Sequence, residues 1–254
     1  MLTIIKQLNN ISPHTMIFKQ LSRWQAFGIH LFISALILIA LLAIILFIWF
    51  PYDLIFAGGI DGLKIMMGVD LVLGPLLTLV VFAPGKKGLK LDLTLIGLLQ
   101  VTCLSAGLWL VYNERPLVQL LADDGVYLLA ASDFKNYQMK VDDLPSRGPK
   151  NVLLDLPENR ASLGAIKFTS ELVDEKPFTF RTDLYIPMNE ITEERFTQRI
   201  TFIQEPMTTG ELEIFAKFDT HDNCAWIPIH SKHVFGYACT NRQDGIIHLS
   251  EHNY

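Results

Sequence analysis

Three long apolar blocks occupy the first half of the chain, and shorter apolar runs broken by polar turns fill the second. The first block, Leu31 to Phe50, is twenty residues without a charge. At about 1.5 Å per residue it can cross a ~30 Å hydrocarbon core. It is too long for a cleavable leader, and it ends in Trp49, Phe50 and Pro51 instead of small residues. The second block, Ile65 to Phe82, is apolar apart from Asp70 and Thr78; the third, Leu91 to Tyr112, holds Asp92 and Gln100. The pattern predicts three transmembrane helices over 31–50, 65–82 and 91–112.

After Tyr112 the pattern changes to that of a globular α+β domain of ordinary size, 113–254. Leu117 to Ala131 is two apolar runs around Asp124-Gly125, a hairpin signal. Residues 145–157 read as a Pro- and Gly-punctuated loop around a short apolar run, Val152 to Leu156. Helices are expected over 159–171, capped by Asn159, and over 191–199, with Thr192, Glu193 and Glu194 in its first turn. Strands are expected at 212–218, 225–229, 234–238 and 246–249. The stretch 1–21 is only weakly amphipathic, and Met16 is an alternative start.

Charge gives the predicted orientation. Arg23 with Lys6 and Lys19 precedes the first span, and Lys86, Lys87 and Lys90 lie between the second and third. The loop between the first two spans has only Lys64, against Asp53 and Asp61. By the positive-inside rule these lysines and arginines are cytoplasmic determinants. The segment 1–25 and the KKGLK loop then face the cytoplasm, 26–112 forms the three-helix region, and 113–254 lies across the membrane. Trp24, Trp49, Trp109 and Tyr112 suit interfacial anchors. Lys and Arg exceed Asp and Glu by seven to four before residue 113, whereas acids exceed bases by twenty-two to fourteen after it. No long basic stripe is present to neutralise phosphates, so nucleic acid is not an expected partner.

Asp70 is the most informative single residue, because an ionisable side chain within a span costs a few kcal/mol on insertion scales. Counting helix rise from the cytoplasmic ends puts Asp70 at roughly 18 Å and Gln100 at roughly 13 Å, close enough to hydrogen-bond. Pro75 also frees the carbonyl of Leu71 nearby. Three readings are open: a structural polar clasp, contact with a client's transmembrane helix, and catalysis. GVD (Gly68 to Asp70) faintly resembles an intramembrane aspartyl peptidase, which needs two carboxylates in one site. The second candidate, Asp92, lies roughly 16 Å lower by helix rise. The chain is not itself a pilin, since Ile33 stands at the fifth position after Gly28, where a pilin-type leader places glutamate. No Gly-rich phosphate loop, GxSxG or HExxH is present.

His221, Cys224, His230, His233 and Cys239 form a metal-like cluster. Zinc, free thiols and a disulfide are the alternatives, and an oxidising periplasm favours the disulfide. If Ser231-Lys232 is a two-residue turn, His230 faces His233 and Cys224 falls opposite Cys239, with Trp226 opposite Tyr237. Cys103, in the third span, reads as a small apolar residue.

SRWQAFGIHLFIS (Ser22 to Ser34), GVDLVLGPLLTLVVFAPGKKGLKLDL (Gly68 to Leu93) and VYNERP (Val111 to Pro116) resemble type IV pilin accessory proteins of the TfpX/TfpZ type. The resemblance implies a multi-pass bacterial inner-membrane protein with a periplasmic domain, supporting pilin stability, pilus assembly or pilus dynamics. It implies the major pilin and other pilus-assembly proteins as partners, the lipid bilayer as surroundings, and neither catalytic residues nor a cofactor. The alternatives are a membrane-embedded enzyme acting on a lipid-linked or pilin substrate, and an anchor or sensor subunit of another envelope complex.

Overall fold

A computed structural model describes residues 21–139, 149–157, 159–205, 208 and 224–250. The chain divides into two compact units: Met1–Ala43 with Asp61–Leu110, and Ile44–Ile60 with Val111–Tyr254.

Three helices, α1 (Arg23–Trp49), α2 (Gly59–Val81) and α3 (Leu89–Glu114), are each long and apolar enough to cross a membrane. Helix α1 starts eight residues before the first apolar block, and a capping box explains why. Ser22 Oγ accepts the Gln25 N–H at 3.2 Å, and Gln25 Oε1 accepts the Ser22 N–H at 2.8 Å. The helix therefore begins in polar sequence, and His30 lies two turns inside it. Helix α2 is not uniform, because its middle, Gly68–Leu73, is π-helical. Between α2 and α3, Lys86 Nζ holds the Asp92 carboxylate at 2.7 Å.

The second unit is built on a seven-stranded mixed sheet. In chain order it contains β1 (Pro116–Leu121), β2 (Val126–Ala130), α4 (Ala131–Asn136) and β3 (Lys150–Leu154). Then follow α5 (Arg160–Leu172), β4 (Tyr185–Pro187), α6 (Glu193–Gln204), β5 (Ala225–His230), β6 (Phe235–Asn241) and β7 (Gly245–Leu249). The spatial order is β4-β3-β1-β2-β5-β6-β7. Strand β1 pairs antiparallel with β2 and parallel with β3, and β2 pairs parallel with β5. Leu117, Val118, Leu120, Leu129, Phe134, Val152, Leu154, Phe178 and Phe180 belong to one buried core cluster.

The sheet curls strongly. Ile246 N–H, at the start of β7, donates to Gln119 Oε1 of β1 at 2.6 Å. In a flat sheet four strand spacings would separate those strands by about 19 Å.

The expected loop over 145–157 contains β3, so that reading is corrected. A strand buried on both sides reads as a short continuous apolar run without alternation, and Val152, Leu153 and Leu154 are all buried. Strand β4 gave no advance signal. The two expected helices are present as α5 and α6. Asn159 Oδ1 accepts the Ala161 N–H at 2.9 Å, and Thr192 Oγ1 accepts the Arg195 N–H at 3.2 Å. The strand expected at 212–218, His221 and the segment before Leu21 lie outside the described residues.

Cys224 and Cys239 form a disulfide, with Cα atoms 5.4 Å apart. The hairpin register that suggested it is shifted by two. Trp226, not Cys224, is opposite Cys239; Pro228 is opposite Tyr237, and His230 is opposite Phe235. A two-residue turn of type I′ needs positive φ at both central positions, which Ser and Lys do not favour, so Ser231–Val234 serve as a four-residue loop instead. A shift of two preserves the face each side chain occupies. Cys224 thus remains on the Cys239 side, one residue before β5, and bonds diagonally beside Trp226 and Tyr237. In denatured, unreduced protein, thiol reagent should modify Cys103 alone, and all three cysteines after reduction. Closing a loop of this length is worth about 3 kcal/mol in the chain-entropy model, so Cys239→Ser should lower unfolding stability by about that amount. Three labelled cysteines before reduction would contradict the bond.

Candidate functional site

The site is a polar cluster set among the three helices. Asp70 lies on the π-helical turn of α2, where the Gly74 N–H reaches five residues back to the Val69 carbonyl. Such turns rotate the residues after them relative to a regular helix and are frequent at functional positions. Pro75 follows at once, buried in the first turn of the next α-helical stretch, where its missing N–H is tolerated.

Asp70 is only 5% exposed and Thr78 only 3%. Gln100, from α3, lines the same cavity as Asp70. Gln100 Oε1 lies 2.7 Å from His30 Nε2, and His30 Nδ1 lies 2.6 Å from Thr78 Oγ1. One chain of contacts therefore runs Gln100–His30–Thr78 through all three helices, with Asp70 beside it in the cavity. Gly74 makes it possible, because a Cβ there would lie 2.0 Å from Gln100 Nε2. The amide rests directly on the α2 backbone.

Proton bookkeeping constrains this chain. An amide oxygen only accepts, so with Gln100 Oε1 toward His30 the ring donates from Nε2. The Thr78 hydroxyl has one proton and two acceptors in reach, His30 Nδ1 and the Gly74 carbonyl, the latter at 3.1 Å.

The cluster opens into a cavity of about 400 Å³ with largely aliphatic walls, including Ile29, Ile33 and Ile37 from α1 and Leu93, Val101 and Leu104 from α3. Asp70, Thr78, Gln100, His30 and Ser34 supply its polar atoms.

Asp70 and Gln100 line one cavity, and His30 and Thr78, which sequence reasoning missed, line it with them. The signal for His30 was legible in the Ser22–Gln25 capping box and in the His30/Ser34 spacing, which puts both on one helical face. Arg23 begins α1, and Lys86 is engaged by Asp92. Lys87 and Lys90 are exposed, and Cys224 and Cys239 are joined in the other unit.

Comparison with known proteins gives the family. The chain is 31% identical over 127 residues to the fimbrial assembly protein of serogroup E1 from Dichelobacter nodosus, covering 48% of this chain and 47% of that protein. It is 30% identical over 122 residues to the fimbrial assembly protein of serogroups C1 and C2 from the same organism, covering 46% of this chain and 88% of the relative. The chain belongs to the fimbrial assembly proteins. The match spans about half the length of the serogroup E1 and serogroup I members. No family model matches the chain, and no solved structure matches it.

Proposed function

We propose that this fimbrial assembly protein is a non-enzymatic accessory factor for type IV pilus assembly, of the TfpX/TfpZ type. It binds pilin or pilus-assembly components from within the bacterial inner membrane. The amino-terminal segment and the KKGLK loop face the cytoplasm, and the second unit faces the periplasm.

The observation that carries this reading is the intramembrane cluster. Asp70 lines one cavity with an amide (Gln100), an imidazole (His30) and a hydroxyl (Thr78), all hydrogen-bonding groups. Asp92, the second candidate for a catalytic pair, is held by Lys86 at the start of α3. The two-carboxylate arrangement required for aspartyl catalysis is therefore not assembled among the described residues. Polar groups inside a span face a bundle interior or a partner, because lipid cannot satisfy them. The relatives' role in fimbrial assembly supplies the kind of partner.

Deleting the gene should lower surface pili and twitching motility, and the protein should co-purify with the major pilin. Reporter fusions after Tyr254 should show periplasmic enzyme activity, while fusions at Gly88 should not. Normal pilin abundance, assembly and retraction in a clean deletion strain would overturn the function, and cytoplasmic activity from the Tyr254 fusion would overturn the orientation.

A further inference from the structure

The walls of the intramembrane cavity are two matched helical stripes. Helix α1 contributes Ala26, Ile29, His30, Ile33, Ser34 and Ile37. These positions follow the 3–4 spacing of one helical face over eleven residues. Helix α3 contributes Leu93, Gly97, Gln100, Val101 and Leu104 with the same spacing over the same span. Each stripe runs about 16 Å along its helix. Helix α2 adds Asp70 and Thr78, and Phe82 follows directly after it. The arrangement is three helices of a bundle around a groove that a fourth could enter with 3–4 packing.

Two details bear on the occupant. A Cβ added at Gly97 would meet no atom within 4 Å, so the groove wall is open there, and small residues allow close helix approach in membranes. Asp70 lines the groove at 5% exposure, a buried carboxylate open to the cavity. An ionised carboxylate accepts about four hydrogen bonds. A lipid acyl chain would fill the aliphatic walls but bring no donor to that carboxylate. A helix bearing one donor would meet both needs.

We infer that the groove between α1 and α3 seats one transmembrane helix of a fimbrial subunit. That helix places a hydrogen-bond-donating side chain (hydroxyl, amide, protonated carboxyl or ammonium) against Asp70. This rests on the assembly reading and specifies the surface and chemistry through which it operates.

The test is site-specific photo-crosslinking of the full chain in fimbriated cells, probed with antibody to the major fimbrial subunit. Crosslinker at Ile33 or Val101, inside the groove, should give subunit adducts at least tenfold above crosslinker at Ile39 or Leu98, which are exposed outside it. Asp70→Leu should reduce the groove adducts at least tenfold, while Asp70→Asn, which keeps an acceptor oxygen, retains most of them. Gly97→Phe should abolish them at normal accessory-protein abundance, because it projects an aromatic ring into the groove from a position with open space at Cβ. Equal adducts from inside and outside, adducts with lipid or a second copy alone, or no effect of Gly97→Phe would each overturn the groove assignment. If the groove yields no subunit adducts but the deletion strain lacks pili, the assembly function stands and only the groove assignment falls. A normally piliated deletion strain removes the assembly function itself.

Discussion

Asp70→Leu should nearly abolish surface pili, whereas Asp70→Asn should keep a substantial fraction, with accessory-protein abundance normal in both. Leucine removes the buried carboxylate that shares the cavity with Gln100, His30 and Thr78. A buried polar group left without a partner costs about 1–3 kcal/mol. Asparagine can still accept through its amide oxygen. The leucine variant is informative because its effect on insertion has the opposite sign. Removing an acid from a span recovers about 2.5–3.5 kcal/mol on insertion scales, so lost function cannot be ascribed to poor insertion. Pili recovered by shearing and quantified by immunoblot, alongside accessory-protein level, provide the measurement. Equal and complete loss in both variants at unchanged abundance would mean that the carboxylate itself is chemically required.

Gly125→Ala should destabilise the second unit by about 2–4 kcal/mol, the sum of backbone strain and a forced shift of a neighbouring strand. Gly125 sits in the β1–β2 turn at φ +151°, and a Cβ there would lie 2.4 Å from the Pro228 carbonyl oxygen. That oxygen is backbone of β5 and has no rotamer by which to retreat. Gly164→Ala is the contrasting control. It lies within α5, where an added Cβ meets nothing within 4 Å, and should stabilise by about 0.5–1 kcal/mol through helix propensity. Thermal unfolding of the full chain in detergent, followed by protease resistance of the second unit, checks both. An unchanged midpoint for Gly125→Ala would show that the turn does not press on β5.

Much of this fold was legible because its determinants are local. Apolar length marked three helices, and Asn159 and Thr192 marked the starts of α5 and α6. Asp124-Gly125 marked the first hairpin, since capping and turn chemistry act within four residues. The disulfide pair was legible as well, because a two-residue register error leaves each side chain on its own face. The register itself was not, since it depends on which loop closes the hairpin. Strands β3 and β4 escaped for a related reason. Val152 to Leu154 is a strand because β1 lies parallel on one side and β4 antiparallel on the other, each about thirty residues or more away in sequence, and no local signal carries those pairings. The same division holds at the site. Helical rise alone brought Asp70 and Gln100 to similar depths, because depth in a bilayer is one coordinate that residue counting supplies. Azimuth is the other coordinate, and only packing decides it. Gly74 lets Gln100 lie on α2, and the capping box carries His30 into α1. The three-helix arrangement then turns His30 toward Thr78 and Gln100, so that residues 48 and 70 positions apart from it share one hydrogen-bonded chain.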